Sequence, residues 1–293
     1  MRTLINIEIQ RKLISGLHSF ANFHPMIIQA EPLQHWIGNF YGYGSWEAKF
    51  WFIAHEESGG DLPEEEAEKF DYFYNVNATP ESKMLCDIRD LYKHVNARLD
   101  GPRALQFKTF YDYRFGENAV QHGLWKNLIA FVHGYQERKQ PDLFEYQKKN
   151  FLSPASQSET LIPLYPLPTH HHAWYYSWLD LPQFPFLKSR SLFQEHVYSR
   201  RMQRILENIK THSPHVVLMY GMENVNALKA SVQEYFPSTK FKMVKAIKQK
   251  IPQHHLAQVN GTKLLITTQV PALRHNRVET GFDWAELAKT VKI

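Results

Sequence analysis

Four short apolar runs, separated by longer amphipathic stretches, dominate the pattern of hydrophobic and polar positions along the chain. The runs lie at 49–54 (KFWFIA), 159–167 (ETLIPLYPL), 216–220 (VVLMY) and 263–268 (KLLITT). Short continuous runs rich in aromatic and β-branched residues are typical of strands buried on both faces, and hence of a parallel sheet. Helical periodicity lies between the runs, at about 80–98, 118–138, 190–211 and 222–236. We therefore predict an α/β fold, a three-layer α/β/α sandwich around a mostly parallel central sheet.

Three further features divide the chain. Leu4, Ile7 and Leu17 can share one helical face, which predicts a helix over about 3–22 and an N-terminal helical extension over 1–37. The main domain then covers 38–293, with a helical insertion over about 62–150. Asn260-Gly261 is a strong hairpin signal, so we expect the last strand to pair with an antiparallel neighbour at 255–259.

Composition narrows the function classes only slightly. Cys86 is the single cysteine, which excludes an intrachain disulfide and an iron–sulfur cluster or cysteine-built zinc site held by this chain alone. The net charge of +5 is compatible with a nucleic-acid partner. Because no run reaches about 18 apolar residues and the first residues do not form a secretory signal, we expect a cytoplasmic protein without a membrane contact.

Candidate chemistry follows the strands, because ligands of open α/β sheets bind beyond the carboxyl ends of their strands. The first strand leads into His55-Glu56-Glu57-Ser58-Gly59-Gly60-Asp61. A carboxylate at a strand end can activate water or stabilise a cationic transition state. A solvated acidic loop is the competing interpretation of the same residues.

Two other strand ends carry histidine, aromatic and basic residues. Tyr165 opens a segment that contains His170, His171 and His172. Neighbouring residues of an extended chain point in alternate directions, so this triplet favours base stacking or phosphate contact over a metal site, and we predict no metal and no cofactor. The last strand leads into a proline-opened loop over 269–277 with one leucine, one histidine and two arginines.

The order of these motifs resembles the uracil-DNA glycosylase superfamily. The family's first motif is an apolar strand that runs into a glycine-containing turn with a catalytic acid, and residues 52–61 are similar to it. Residues 214–228 are similar to the family's strand-glycine-helix unit, and residues 270–275 are similar to its leucine loop. The likeness covers most of the chain from residue 38 onward. Val270 occupies the family's histidine position, and 163–166 has no uracil-reading asparagine.

The resemblance implies a monofunctional DNA glycosylase that flips a pyrimidine and hydrolyses its N-glycosidic bond. The most specific members of the family carry a tyrosine that blocks substituents at carbon 5 of the base. This chain has Ser58-Gly59-Gly60 in the corresponding stretch, which implies a substrate base that is bulky at carbon 5. Glu56 or Glu57 would be the catalytic carboxylate, with Glu56 the first choice, and His275 would neutralise the leaving base. An open pocket suits the hydroxymethylated or glucosylated bases of phage DNA as substrates. The implied role is defence against phage or DNA repair.

The remaining assignments concern binding. The residues expected to bind the substrate lie at the first two strand ends: His55, Ser58, Gly59, Asp61, Tyr165 and His170. The residues expected to bind DNA are one wedge and four cations: Leu273, Arg274, Arg277, Arg200 and Arg204. Arg200, Arg201 and Arg204 stand at helical spacing, although a solvated helix surface is the common explanation for such a cluster.

Two other hypotheses stay open at the sequence level. A non-catalytic DNA-binding protein of the same fold would bind DNA in a salt-dependent way and leave every base attached. A small-molecule hydrolase using the same sheet edge would have no salt-dependent affinity for DNA. The sequence implies no obligate protein partner, and it is silent on the oligomeric state.

Overall fold

The structure is a computed structural model that describes residues 28–57, 62–76, 85–99, 101, 104–169, 174–248, 250–272 and 281–292. The helix predicted over 3–22 lies outside these residues. Three segments of the predicted site, 58–61, 170–173 and 273–280, also lie outside them.

One mixed sheet organises the described residues. Its strands are β1 (Gly42–Tyr43), β2 (Phe50–Glu56), β3 (Leu85–Cys86), β4 (Glu159–Tyr165), β5 (Val216–Tyr220), β6 (Lys242–Val244), β7 (His254–Val259) and β8 (Thr262–Ile266). They are arranged in the order β3-β1-β4-β2-β5-β8-β7-β6. The four apolar runs of the sequence are β2, β4, β5 and β8, and all four are confirmed as strands.

The pairing explains why the sheet is mixed. β4, β2, β5 and β8 are neighbours and pair in parallel, whereas β1 with β4, β6 with β7, and β7 with β8 pair antiparallel. The α/β class is therefore confirmed, whereas a mostly parallel sheet is not confirmed, because antiparallel pairs flank the parallel central strands. The predicted hairpin is confirmed, because Asn260 and Gly261 both have positive φ values, 46° and 82°, as its tight turn requires.

The α-helices of the described ranges are α1 (Ala30–Asn39), α2 (Pro63–Val76), α3 (Ile88–Lys93), α4 (Phe110–Arg114), α5 (Gly123–Tyr135), α6 (Leu143–Lys149), α7 (Arg190–His212), α8 (Val225–Tyr235) and α9 (Trp284–Lys292). The helices predicted at 118–138, 190–211 and 222–236 correspond to α5, α7 and α8. The helix predicted at 80–98 is wrong in extent. Leu85 and Cys86 pair with β1 as a strand, and the side chain of Asp87 then caps a helix of only six residues.

Helices cover both faces of the central strands. Phe52 of β2 meets Phe131 of α5, with ring centroids 6.0 Å apart. Successive strand residues point to opposite faces, so the neighbouring positions of β2 face α7 instead. Trp51, Phe52 and Ile53 are completely buried as a result.

Helix α1 packs into this core. The buried Trp36 side chain donates its indole N–H to the carbonyl oxygen of Pro166 at 2.9 Å, just beyond β4. The helix crosses residue 37, where the sequence suggests the end of an N-terminal extension. The division at 37/38 stays a prediction.

The contact between α5 and α9 depends on a glycine, which gives a first prediction. A Cβ atom at Gly134 would lie 2.4 Å from the carbonyl oxygen of Ala285, so Gly134→Ala forces the two helices apart. We expect a loss of about 2 kcal/mol in the free energy of unfolding, measured by urea denaturation. Gly123→Ala is the matched control, because a Cβ at this first residue of the same helix meets nothing within 4 Å. Equal stability of the two variants would contradict this packing.

No helix in the described part of the chain is both long and apolar enough to cross a membrane.

Candidate active site at the carboxyl edge of the sheet

The order of the parallel strands creates a crevice between β2 and β5. From β2 the chain passes to β4 on one side, and from β4 it returns to β5 on the other side. This reversal is a topological switch point, where open α/β sheets bind their ligands beyond the carboxyl ends of the strands. His55, Glu56 and Glu57 lie at the end of β2, and Gly221 and Met222 follow β5.

Glu56 is the best-oriented acid of this edge. Its Oε1 accepts hydrogen bonds from Arg190 Nε at 2.5 Å and from Gln194 Nε2 at 3.1 Å. Its Oε2 accepts one from the hydroxyl of Thr169. Arg190 begins α7, so the helix, β2 and the segment after β4 together fix one carboxylate position. The side chain is 14% exposed, which leaves it accessible from the edge.

His55 lines a groove of about 450 Å³ beside α7 and α8. Its Nε2 lies 3.3 Å from Gln194 Nε2 and 3.6 Å from Glu223 Oε1, and its ring packs edge-on against Tyr165. Burial lowers the pKa of His55, although the nearby Glu56 and Glu223 raise it in part. The groove is therefore lined by polar groups with an acidic rim.

Glu57 is buried and lines a separate cavity. Its Oε1 accepts a 2.7 Å hydrogen bond from the Tyr43 hydroxyl. Burial raises the pKa of Glu57 to about 7, although Lys69 and the Tyr43 hydrogen bond lower it in part. Glu57 can therefore carry a proton near neutral pH and act as a hydrogen-bond donor or an acid.

The raised pKa predicts how stability depends on pH. Between about pH 4.5 and about pH 7 the folded protein retains the Glu57 proton that the unfolded chain releases, so stability falls as the pH rises through this window. Glu57→Gln is neutral throughout and escapes this loss. We expect the free energy of unfolding of the variant, relative to wild type, to rise by roughly 3 kcal/mol across the window.

The measurement is urea denaturation of both proteins at several pH values. Burial also raises the pKa of Glu159 to about 7. Glu159 is present in both proteins, so its contribution to the free energy of unfolding cancels in the difference. A difference that does not vary with pH would contradict the assignment to Glu57.

Glu56 and Glu57 both line an enclosed cavity of about 60 Å³ between the sheet edge and the predicted insertion. Its walls combine polar and aromatic side chains: Tyr43, Lys69, Tyr92, Phe110, Arg114, His122 and Trp125. Such a volume holds about four water molecules. The cavity therefore suits a small, flat, polar ring.

Two cations of the cavity wall differ in how they are paired. Lys69 donates to Glu66 Oε1 at 3.0 Å, and both side chains are buried. Arg114 forms no ion pair with any residue that the structure describes; its guanidinium lies 4.2 Å from the centre of the Tyr113 ring and 3.5 Å from the carbonyl oxygen of Val120. Burial lowers the pKa of Arg114, but the group stays protonated at neutral pH. A partly buried guanidinium with spare donors can stabilise negative charge in the cavity.

Trp125 and His122 form the aromatic wall. Their rings stack at 4.6 Å, and His122 Nδ1 accepts a hydrogen bond from the Trp125 amide at the start of α5. Burial, with a smaller contribution from Arg114, lowers the pKa of His122 to about 3. His122 is therefore neutral at physiological pH.

The structure brings four of the sequence-predicted site residues together, namely His55, Glu56, Glu57 and Tyr165. It does not bring Arg200 and Arg204 to them, because these lie about 15 and 21 Å along α7 from Arg190. Arg200 contacts the carbonyl oxygen of Gly38 and Arg204 pairs with Glu207. The remaining predicted residues lie outside the described ranges: Ser58, Gly59, Asp61, His170, Leu273, Arg274, His275 and Arg277.

Sequence reasoning missed most of the side chains that shape the site. Arg190 and Gln194 lie one helical turn apart on α7 and both donate hydrogen bonds to Glu56. Tyr43 belongs to a two-residue strand and donates a hydrogen bond to Glu57. The glycine-flanked aromatic segment around Tyr43 was the available signal, because glycines permit a close backbone approach. No comparable signal identifies Arg114, which lies in a five-residue helix.

Within the described ranges, no three histidine, cysteine, aspartate or glutamate side chains are grouped as metal ligands. Comparison with protein-family models, with curated proteins and with solved structures finds no match to this chain. The geometry of the site is therefore the only basis for assigning a function.

Proposed function

We propose that the protein is a DNA glycosylase that removes a flipped pyrimidine, one with a substituent at carbon 5, by hydrolysis of its N-glycosidic bond. The observation that carries the proposal is the position of Glu56. Its carboxylate is oriented at the topological switch point and at the same time lines a small aromatic cavity. An oriented acid beside a ring-sized cavity is what base removal requires.

We also propose that the domain is a three-layer α/β/α sandwich of the uracil-DNA glycosylase type. Four parallel central strands with helices on both faces support this assignment. The antiparallel strands at both sides of the sheet would be additions to that core.

In the proposed reaction the bond between the sugar carbon and the base nitrogen breaks, and its electron pair leaves with the base. Glu56 stabilises the cationic sugar and orients a water molecule, which adds to the sugar carbon. The carboxylate accepts the proton that this water loses. The products are an abasic site and the free base.

The cavity supplies the groups that a departing base needs. Tyr92, Phe110 and Trp125 offer faces and edges for stacking. Protonated Glu57 can donate a hydrogen bond to a base carbonyl, and Arg114 can stabilise the negative charge of the leaving ring. Arg114 would thus perform the role that the sequence assigns to His275.

The test is incubation with duplexes that contain uracil, hydroxymethyluracil, hydroxymethylcytosine or glucosylated cytosine, followed by alkaline cleavage of abasic sites. Unmodified duplex of the same sequence is the control. We expect cleavage of at least one modified duplex. Absence of cleavage with every substrate would overturn the enzymatic proposal.

One observation favours a second candidate, a non-catalytic DNA-binding protein of the same fold. Both oxygens of Glu56 already accept hydrogen bonds, from Arg190, Gln194 and Thr169. An acid held in this way can also serve only to fasten α7 to the sheet. If this candidate is right, the protein binds all the duplexes in a salt-dependent way and produces an abasic site in none of them.

A further inference from the structure

The positive charge of the chain is concentrated in one segment, 235–278. It holds eight of the 34 lysine and arginine residues and none of the 29 aspartate and glutamate residues. The rest of the chain has 26 cations against 29 carboxylates, a net charge of −3. The basic character of the protein therefore comes entirely from this segment.

Five lysines of the segment lie on and around the edge strand β6: Lys240, Lys242, Lys245, Lys248 and Lys250. All five are exposed. None forms an ion pair with a residue that the structure describes, so their charges are available to a partner.

The strand directions place the three lysines that follow β6 at the edge of the sheet that holds the candidate active site. β6 is antiparallel to β7, and β7 is antiparallel to β8, so β6 runs in the same direction as β8. The carboxyl end of β6 therefore lies at the same edge as those of β2, β4, β5 and β8. Lys245, Lys248 and Lys250 follow that end directly.

Two hydrogen bonds connect the lysine region to the crevice. The amide of Met222, which lines the groove beside His55, donates to the carbonyl oxygen of Thr267 at 3.1 Å. The hydroxyl of Thr267 donates to the carbonyl oxygen of Gln253 at 2.8 Å. Ile251, two residues earlier, is buried and bridges to Ile247. The lysines are thus carried by a turn that is fixed to the core.

We propose that Lys245, Lys248 and Lys250 bind the phosphate backbone of a DNA duplex at a distance from the target base. β2 and β6 are four strand spacings apart, about 19 Å. This span corresponds to about six base pairs of a duplex that crosses the sheet edge. The inference shares the DNA partner with the proposed function but does not require base removal.

Charged residues on an edge strand also prevent strand pairing between molecules. That role explains Lys242, which lies within β6. It does not explain the three lysines beyond the strand, where no edge remains to be protected. The test variants therefore leave Lys242 in place.

The experiment compares the triple variant Lys245→Gln/Lys248→Gln/Lys250→Gln with a matched control, Lys139→Gln/Lys149→Gln/Lys210→Gln. The control lysines are also exposed. Lys149 pairs with Glu145, and Lys210 lies beside the turn that precedes β8, at the opposite edge of the sheet. Binding to a 20-base-pair duplex is measured by fluorescence anisotropy over a range of salt concentrations. The same proteins are tested with vesicles of phosphatidylcholine and phosphatidylserine.

Loss of three phosphate contacts should make the slope of log K against log salt shallower by about 2.7 and weaken binding at low salt at least tenfold. The control variant should keep the wild-type slope. An unchanged slope in the triple variant, an equal change in the control, or a loss confined to vesicle binding would each overturn the inference.

The outcomes separate this inference from the proposed function. Binding that depends on these lysines without excision of any base would support the lysine surface and overturn the glycosylase. Excision of a base by the wild-type protein, together with a wild-type salt slope in the triple variant, would support the glycosylase and overturn the lysine surface. Absence of DNA binding by the wild-type protein would overturn both.

Discussion

Glu56→Gln is expected to reduce the single-turnover rate of base excision by about 1000-fold, within the range of general base catalysis. The amide cannot accept the proton of the attacking water and carries no charge to stabilise the cationic sugar. It keeps the size of the side chain, and its oxygen can still accept the Arg190 hydrogen bond. The fold and DNA binding should therefore persist.

Glu223→Gln is the matched control for this variant. Glu223 lies 3.3 Å from Arg190 Nη2, so it shares the partner of Glu56, but it lines the outer groove rather than the cavity. We expect its excision rate to stay within about threefold of wild type, because surface ion pairs contribute little. An excision rate of Glu56→Gln within threefold of wild type, or equal losses in the two variants, would exclude Glu56 as the catalytic carboxylate.

The two acids of the loop differ in a way that decides between them. Glu56 is partly accessible and held by donors from α7, whereas Glu57 is buried against Tyr43. A reaction at a sugar outside the cavity needs the accessible acid. Glu57 is placed to contact the base instead, so its substitution should change which base is accepted more than how fast the bond breaks.

The sequence was sufficient to predict the parts of the fold that local pattern determines. β2, β4, β5 and β8 are continuous apolar runs because both their faces are buried, and Asn260-Gly261 specifies its own turn. Short strands were missed for a physical reason. β1 and β3 contain two residues each and exist because β1 pairs with both β3 and β4, which no periodicity encodes.

The candidate site was predictable only in part, for a related reason. His55 and Glu56 are neighbours in the sequence and both contact Gln194, but their partners come from distant positions in the chain. Arg190 is 134 residues from Glu56, and Tyr43 belongs to a strand that the sequence did not reveal. The adjacent carboxyl groups were visible in the sequence, whereas their separation into two environments was not.

The arginine cluster of α7 shows how spacing alone can mislead. Arg200, Arg201 and Arg204 suggest one basic helix face, yet the middle residue is buried and its neighbours are exposed. Arg201 donates hydrogen bonds to the carbonyl oxygens of Leu164, Phe40 and Pro163 at 2.7, 2.8 and 2.7 Å. Burial lowers the pKa of Arg201 to about 10, so it stays charged at neutral pH.

Arg201→Met is therefore expected to lower the free energy of unfolding by roughly 4 kcal/mol, because buried acceptors left without a donor cost about 1–3 kcal/mol each. Methionine is unbranched and fills most of the vacated volume, so the loss comes from hydrogen bonding rather than from a cavity. Two separate segments, β4 and the residue after α1, lose their common partner on α7.

Arg200→Met provides the control one residue away. Arg200 is exposed and makes a single 3.3 Å contact with the carbonyl oxygen of Gly38. Its replacement should change the free energy of unfolding by less than about 0.5 kcal/mol, measured by urea denaturation beside the other variant. Similar losses in the two variants would mean that Arg201 contributes as a surface charge. A loss confined to Arg201→Met would show that this side chain joins α7 to β4 behind the candidate site, and that Glu56 is oriented by a helix held in place from within the core.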